Sequence, residues 1–120
     1  MADTGKTTLL VVDDESAVCR AVRRLLRDKF DEIVTVETPA DAETVLATRQ
    51  VTHVVCDQCL GPGQPEGLAI AGGWRTSYPS IRRLVILTGA DVKNLTALPG
   101  VDLVLPKTID PVDLAAVLVG

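Results

Sequence analysis

Aromatic side chains are almost missing: Phe30, Trp74 and Tyr78 are the only three in 120 residues. The core must therefore be aliphatic, and no aromatic platform exists on which single-stranded nucleic acid could stack. Histidine occurs once, at His53, so no pair of imidazoles is available to a metal. Basic excess is also missing. Twelve Lys and Arg stand against 16 Asp and Glu, and the net charge of −4 argues against nucleic acid or a membrane surface as partner. No apolar run approaches the ~20 residues of a membrane span, and the first residues lack the apolar core of a signal peptide. Three cysteines, an odd number, make no disulfide framework. These absences leave a cytoplasmic globular protein as the expectation. The 47% hydrophobic and 23% charged content suits one domain over residues 1–120, with 1–6 as a loose polar terminus.

Gly5-Lys6-Thr7-Thr8 looks like the tail of a phosphate-binding P-loop. That motif needs a further Gly five residues earlier and a strand before the loop, and the sequence offers neither. Thr8-Leu9-Leu10-Val11-Val12 is a continuous apolar run, predicting a buried strand that stops at Asp13-Asp14-Glu15. Ser16 is placed to cap a following helix. In that helix Val18, Val22, Leu25 and Leu26 recur at helical spacing, while Arg20, Arg23, Arg24 and Arg27 fall largely off the stripe. The Arg set reads either as a solvated face or as a docking surface for an acidic partner.

Residues 33–36 predict a second strand. Thr38-Pro39 opens a helix with Pro in its first turn, turning Ala42, Val45 and Leu46 inward. Val51 to Asp57 predicts a third strand, followed by the stiff, Gly- and Pro-rich run Gly61-Pro62-Gly63-Gln64-Pro65. A helix over 66–77 is weakened by Gly72-Gly73, at about 1 kcal/mol per Gly relative to Ala. Residues 84–87 predict a fourth strand, 91–98 a short helix and 101–105 a fifth strand. Asp110-Pro111 then starts a last helix, with Asp as cap and Pro in first position. Five strands alternating with five helices call for a parallel sheet covered on both faces by right-handed crossovers.

Four of the predicted strands end in polar groups: Asp13-Asp14, Asp57, Thr88 and Lys107. In a parallel sheet those ends share the carboxyl edge, where open α/β folds bind their ligands. Three crowded carboxylates repel one another, and burial raises the cost. A hard divalent cation such as Mg²⁺ would offset this through all-oxygen ligands. Lys107 and Thr88 suit a phosphate oxygen, one as a point charge and one as a hydroxyl donor. The chemistry suggested is phosphoryl transfer with one Asp as nucleophile.

The matching stretches Leu9-Leu10-Val11-Val12-Asp13-Asp14-Glu15, Val54-Val55-Cys56-Asp57, Val85-Ile86-Leu87-Thr88-Gly89-Ala90 and Leu105-Pro106-Lys107 span nearly the whole chain, in order. With them the sequence resembles the receiver domain of two-component response regulators. The resemblance implies a flavodoxin-like, doubly wound five-stranded parallel sheet of order 2-1-3-4-5 flanked by five helices. It implies a regulatory phosphoacceptor rather than an enzyme, with self-catalysed phosphotransfer and dephosphorylation at most. Asp57 would accept a phosphoryl group from a histidine kinase or histidine phosphotransferase. Asp14 would bind Mg²⁺ directly and Asp13 largely through water, with Asp57 and the backbone carbonyl of Cys59 completing the protein ligands. Thr88 would be the switch hydroxyl. Lys107 would pair with Asp57 before transfer and with the phosphoryl group after it. An output domain, a downstream protein or a second copy of the chain would read the change, with no direct contact to nucleic acid or membrane.

Three features depart from the family pattern. Val104 stands where a Tyr or Phe is usual, which predicts a weak or rerouted conformational response. Thr108 follows Lys107 where a proline with a cis peptide is usual. A cis bond before a non-proline residue costs about 3–4 kcal/mol, so the expectation is a trans bond with a shifted loop, or a strained cis bond. The loop after Asp57 is about two residues longer than common, judged by the position of Gly67-Leu68. Two competing readings are open. A pseudo-receiver would keep the fold as a binding module without phosphorylation. A redox dithiol at Cys56-Asp57-Gln58-Cys59 would need a helix start where a strand ends. Cys56 is expected to face away from Asp57, Cys19 to pack under its helix, and His53 to lie at a strand edge.

Overall fold

Short runs rich in Val, Leu and Ile favour strands, and where they are apolar on both sides, as at the centre of the sheet, they suit a strand covered on both faces. In the computed structural model, which describes residues 6–89 and 99–119, these runs form β1 (Thr8–Val12), β2 (Glu32–Val36), β3 (His53–Asp57), β4 (Arg83–Thr88) and β5 (Leu103–Pro106). All neighbours pair parallel in the order β2-β1-β3-β4-β5. The helices are α1 (Ser16–Leu26), α2 (Pro39–Thr48), α3 (Gly67–Ser77) and α4 (Pro111–Val119). Four helices are thus described; the helix expected over 91–98 lies outside the described residues, as does most of the N-terminus. No helix among the described residues is long and apolar enough to cross a membrane.

Side-chain parity divides the core in two. Leu10, Val12, Val54, Cys56, Leu84 and Ile86 face α2 and α3, meeting Ala42, Leu46, Ala71 and Trp74. Leu9, Val11, Val55, Val85 and Leu87 face α1 and α4, meeting Cys19, Val22, Leu26, Leu114 and Leu118. Both faces of β1 and β3 are fully buried, as expected of central parallel strands.

Two strands start later than the sequence predicts, and in each a side chain stands in for the ladder. Thr52 Oγ1 accepts from the Thr8 amide at 2.9 Å, so β3 begins at His53 rather than Val51. Asp102 Oδ2 accepts from the Leu84 amide at 2.7 Å and pairs with Arg75, so β5 begins at Leu103 rather than Val101. His53 does not lie at an edge. It opens a central strand, is buried, bonds Thr52 Oγ1 through Nδ1 at 2.8 Å, and sets its ring edge-on to Phe30. Ser16 is not the cap of α1. Glu15 holds that position with no side-chain cap bond, and its own amide donates to Asp13 Oδ1 at 2.9 Å. Thr38 does cap α2, accepting from the Asp41 amide, and Asp110 accepts from the Val112 amide at the start of α4.

Gly72, a helix-weakening residue in isolation, has a packing reason. A Cβ there would stand 2.5 Å from the Pro99 carbonyl oxygen, and one at Gly100 would stand 2.7 Å from the Gly72 carbonyl oxygen. The two backbones cross too closely for any side chain.

Candidate functional site

The carboxyl edge of the sheet gathers the polar strand ends. Asp13 follows β1, Asp57 closes β3, Thr88 closes β4 and Lys107 follows β5. Lys107 Nζ lies 3.0 Å from Asp57 Oδ2, 3.5 Å from Asp13 Oδ2 and 3.5 Å from Glu15 Oε1. Asp13, Asp14 and Asp57 each offer a carboxylate oxygen, all within 4.8 Å of one another. Asp13 and Asp57 are buried, while Asp14 faces solvent. An oxygen-only set of three carboxylates, two of them desolvated, fits a divalent cation of hard character.

The electrostatics reflect the crowding. Burial pushes the Asp13 carboxyl up from 3.8 to about 6; the Glu15 amide opposes this, Asp57 adds repulsion and Lys107 partly relieves it. Burial alone would lower the Lys107 ammonium. Its hydrogen bond to Asp57 and the fields of Asp13, Asp57 and Glu15 win, holding it above its ordinary range.

Of the residues named from sequence, Asp13, Asp14, Asp57 and Lys107 meet in one cluster. Cys59 joins through its amide, which donates to Asp57 Oδ1 at 3.3 Å. Thr88 is buried one strand from Asp57, and its carbonyl accepts from the Lys107 amide at 2.8 Å. Val104 is half-buried on β5 opposite Ile86. The Lys107–Thr108 bond is trans, and the Ile109 amide closes a turn onto the Pro106 carbonyl at 3.0 Å.

Two contributors were not singled out from sequence. Glu15 adds a third carboxylate to the Lys107 environment, beside Asp13 and Asp57; its place after two acids was visible, its reach was not. Gln58 closes the long loop: its carbonyl accepts from the Gly67 amide at 2.9 Å, its Oε1 from the Leu68 amide at 2.8 Å, and its Nε2 donates to Glu66 at 3.1 Å. A Cβ at Gly67 would come within 2.4 Å of the Asp57 carbonyl oxygen, so the loop ends against the backbone of Asp57 itself. Inside the loop Gly61, with φ of +109°, lies over the Asp14 carboxylate.

The three cysteines are free, and Cys56 and Cys59 sit in different environments. Cys56 points into the α2/α3 core, away from Asp57, and burial pushes its thiol far above the ordinary range. Cys59 is exposed, and Cys19 packs beneath α1, donating to the Asp13 carbonyl.

No family model matches the chain. The hydrogenase transcriptional regulatory protein HoxA of Cupriavidus necator is 34% identical over 92 residues, which cover 77% of this chain. The chain spans only 18% of that relative's length. The N-terminal signal receiver domain of a two-component system response regulator from Bacteroides fragilis superposes with a TM-score of 0.78 at 26% identity, covering 94% of this chain and 93% of that one. A response regulator from Burkholderia pseudomallei, solved with a phosphorylated aspartic acid, a calcium ion and citrate, gives a TM-score of 0.78 at 21% identity, covering 94% and 66%. Strand order, carboxyl-edge cluster and relatives agree: the chain belongs to the receiver domains of two-component response regulators.

Proposed function

We propose that Asp57 is a phosphoacceptor, taking a phosphoryl group from the phosphohistidine of a histidine kinase or histidine phosphotransferase. One Asp57 carboxylate oxygen attacks phosphorus, the P–N bond breaks, and the imidazole leaves with the bond's electron pair and is protonated, leaving an acyl phosphate. The observation that carries this reading is the 3.0 Å pair between Lys107 Nζ and Asp57 Oδ2 inside a cluster of three carboxylates. Lys107 neutralises charge on the incoming group, and the scaffold orients Asp57 for in-line approach.

Asp14, Asp57 and the Cys59 carbonyl would hold Mg²⁺ directly, and Asp13 through water. When bound, the ion supplies positive charge against the oxygens of the transferred group. Thr88, buried at the end of β4, serves as the hydroxyl that moves to the phosphoryl oxygens. An apolar groove of about 330 Å³ runs beside Lys107, lined among others by Ala17, Val18, Ala21, Leu25 and Ile109, and gives a donor protein an approach to the site. The Burkholderia relative's phosphorylated aspartate and bound calcium support the same chemistry here. In this reading the domain works in the cytoplasm as a regulator, and its phosphorylation is read by an output domain, a downstream protein or a second copy.

The competing reading, a pseudo-receiver that only binds partners, draws on Val104 and Thr108. Incubation with acetyl phosphate and Mg²⁺, then with a phosphorylated histidine kinase, separates the two by intact mass. Gain of one phosphoryl group by wild type but not by Asp57→Ala is the expected result. An unmodified wild type with both donors would leave the pseudo-receiver.

A further inference from the structure

Away from the carboxyl-edge cluster, α1 carries a second charged feature. Arg20, Arg23, Arg24 and Arg27 line a cleft of about 450 Å³ between α1 and β2, with Phe30 and Ile33 contributing its apolar surface. With Lys29, five of the chain's 12 basic residues fall within ten positions of a protein whose net charge is −4. The four guanidiniums recur at three- and four-residue steps, about one helical turn of 5.4 Å apart.

The nearby partners do not neutralise this cluster. Arg23 donates to the Ile33 carbonyl at 3.1 Å, and Arg20 reaches only the Ser16 hydroxyl at 3.4 Å. Asp31, at the rim, is engaged by the Thr7 amide at 2.7 Å and the Thr7 hydroxyl at 3.3 Å. The Arg24 and Arg27 side chains make no hydrogen bond or ion pair among the described residues. Like charges at this spacing destabilise a helix, so the arrangement gains from a bound anion. Arginine presents a planar fork that pairs two-pronged with carboxylates, and it stays charged at any physiological pH.

We propose that this cleft binds an acidic segment of a protein partner, one with carboxylates a helical turn apart seated on Arg20, Arg24 and Arg27. A nucleic acid fits less well. The basic stretch covers only about two helical turns, Asp31 lines the same cleft, and Asp28 interrupts the basic run, both of which repel a long uniform polyanion. The site lies on the β2 side of α1, separate from the groove beside Lys107. It does not depend on whether Asp57 is phosphorylated.

The test is an NMR titration of arginine side-chain Nε–Hε resonances with a synthetic helical peptide bearing Glu at every fourth position. The same peptide with Gln, a short DNA duplex and inorganic phosphate serve as comparison probes. The Glu peptide is expected to shift Arg20, Arg24 and Arg27 saturably, and its affinity to fall as salt rises. In the double variant Arg24→Gln, Arg27→Gln the affinity should drop about tenfold or more. Arg23 is left intact because it covers the edge of β2, and unchanged amide resonances outside α1 verify the fold of the variant. Absence of shifts at low salt, equal binding of the Gln peptide, stronger binding of the duplex or phosphate, or shifts centred on Lys107 would each overturn the proposal.

Discussion

Lys107 Nζ stands closer to Asp57 Oδ2, at 3.0 Å, than to either Asp13 or Glu15, each at 3.5 Å. One ammonium therefore balances three carboxylates from two parts of the chain. Replacing it with Met keeps most of the stem and removes the charge. Because the Lys107 side chain is about a quarter exposed (27%), solvent screens part of the loss. Lys107→Met should lower unfolding stability by about 1–3 kcal/mol at neutral pH, short of the loss for a fully buried pair. Millimolar Mg²⁺ should restore more stability to the variant than to wild type. Urea unfolding with and without MgCl₂ checks both; a variant indifferent to Mg²⁺ would mean that the carboxylates do not act as a cation site.

The long loop after Asp57 gives a second prediction. Gln58 holds both ends of it, and Gln58→Ala removes two side-chain hydrogen bonds. The expected cost is about 1–2 kcal/mol. Mg²⁺ affinity should fall several-fold as well, since Cys59 and Gly61 ride on the same loop. Gly67→Ala should be worse, because its Cβ would press on the Asp57 carbonyl from 2.4 Å and the backbone must give way. Mg²⁺ titration followed by NMR, alongside thermal melts, separates loss of the loop's position from loss of the fold.

These cases mark where sequence was sufficient and where it was not. β1 and β3 were legible because a five-residue run with both faces apolar has no other stable home. Their order at the carboxyl edge then placed Asp13, Asp14, Asp57 and Lys107 together, and the opposite facing of Cys56 followed from strand parity. Strand starts were less legible: at Thr52 and Asp102 a side chain replaces a backbone partner, which no pattern of apolar residues records. Gln58 was invisible for a related reason. Its partners stand eight to ten residues away across an irregular loop, where neither helical nor strand periodicity applies. His53 was misplaced because a lone imidazole at a strand start looks the same in sequence whether its neighbours are solvent or Phe30.

Two buried groups give the pH dependence opposite signs. Burial first, then Arg82 and Arg83, holds the His53 imidazole below its ordinary 6.5. The unfolded chain then binds the proton more readily, so the contribution of His53 to stability is full above 6.5 and is lost as pH falls below it. Asp13 works the other way. Its carboxyl rises from 3.8 to about 6, so the folded state binds the extra proton and stability falls as pH rises through that interval. In wild type the two partly cancel. His53→Gln should remove the first alone, so the stability difference between wild type and variant should shrink as pH drops from 7 toward 5. Thermal melts across that range check it; a difference independent of pH would mean that His53 does not titrate on unfolding.

We propose that Val104 limits how far a change at Asp57 travels. It sits half-buried on β5 against Ile86, packed on the α2/α3 core, and its small branched side chain has few rotamers to change. An aromatic ring at this position could swing between a buried and an exposed setting as Thr88 moves; a valine cannot follow. Beryllium fluoride with Mg²⁺, which mimics the phosphoryl group, should therefore shift amides at 12–15, 57–61, 88 and 107 while leaving 101–105 nearly unchanged. Val104→Tyr should extend the shifts along β5. Large shifts over 101–105 in wild type would show that the backbone of β5 moves without an aromatic lever. A silent Val104→Tyr would place the route elsewhere, along the turn that joins Lys107 to α4.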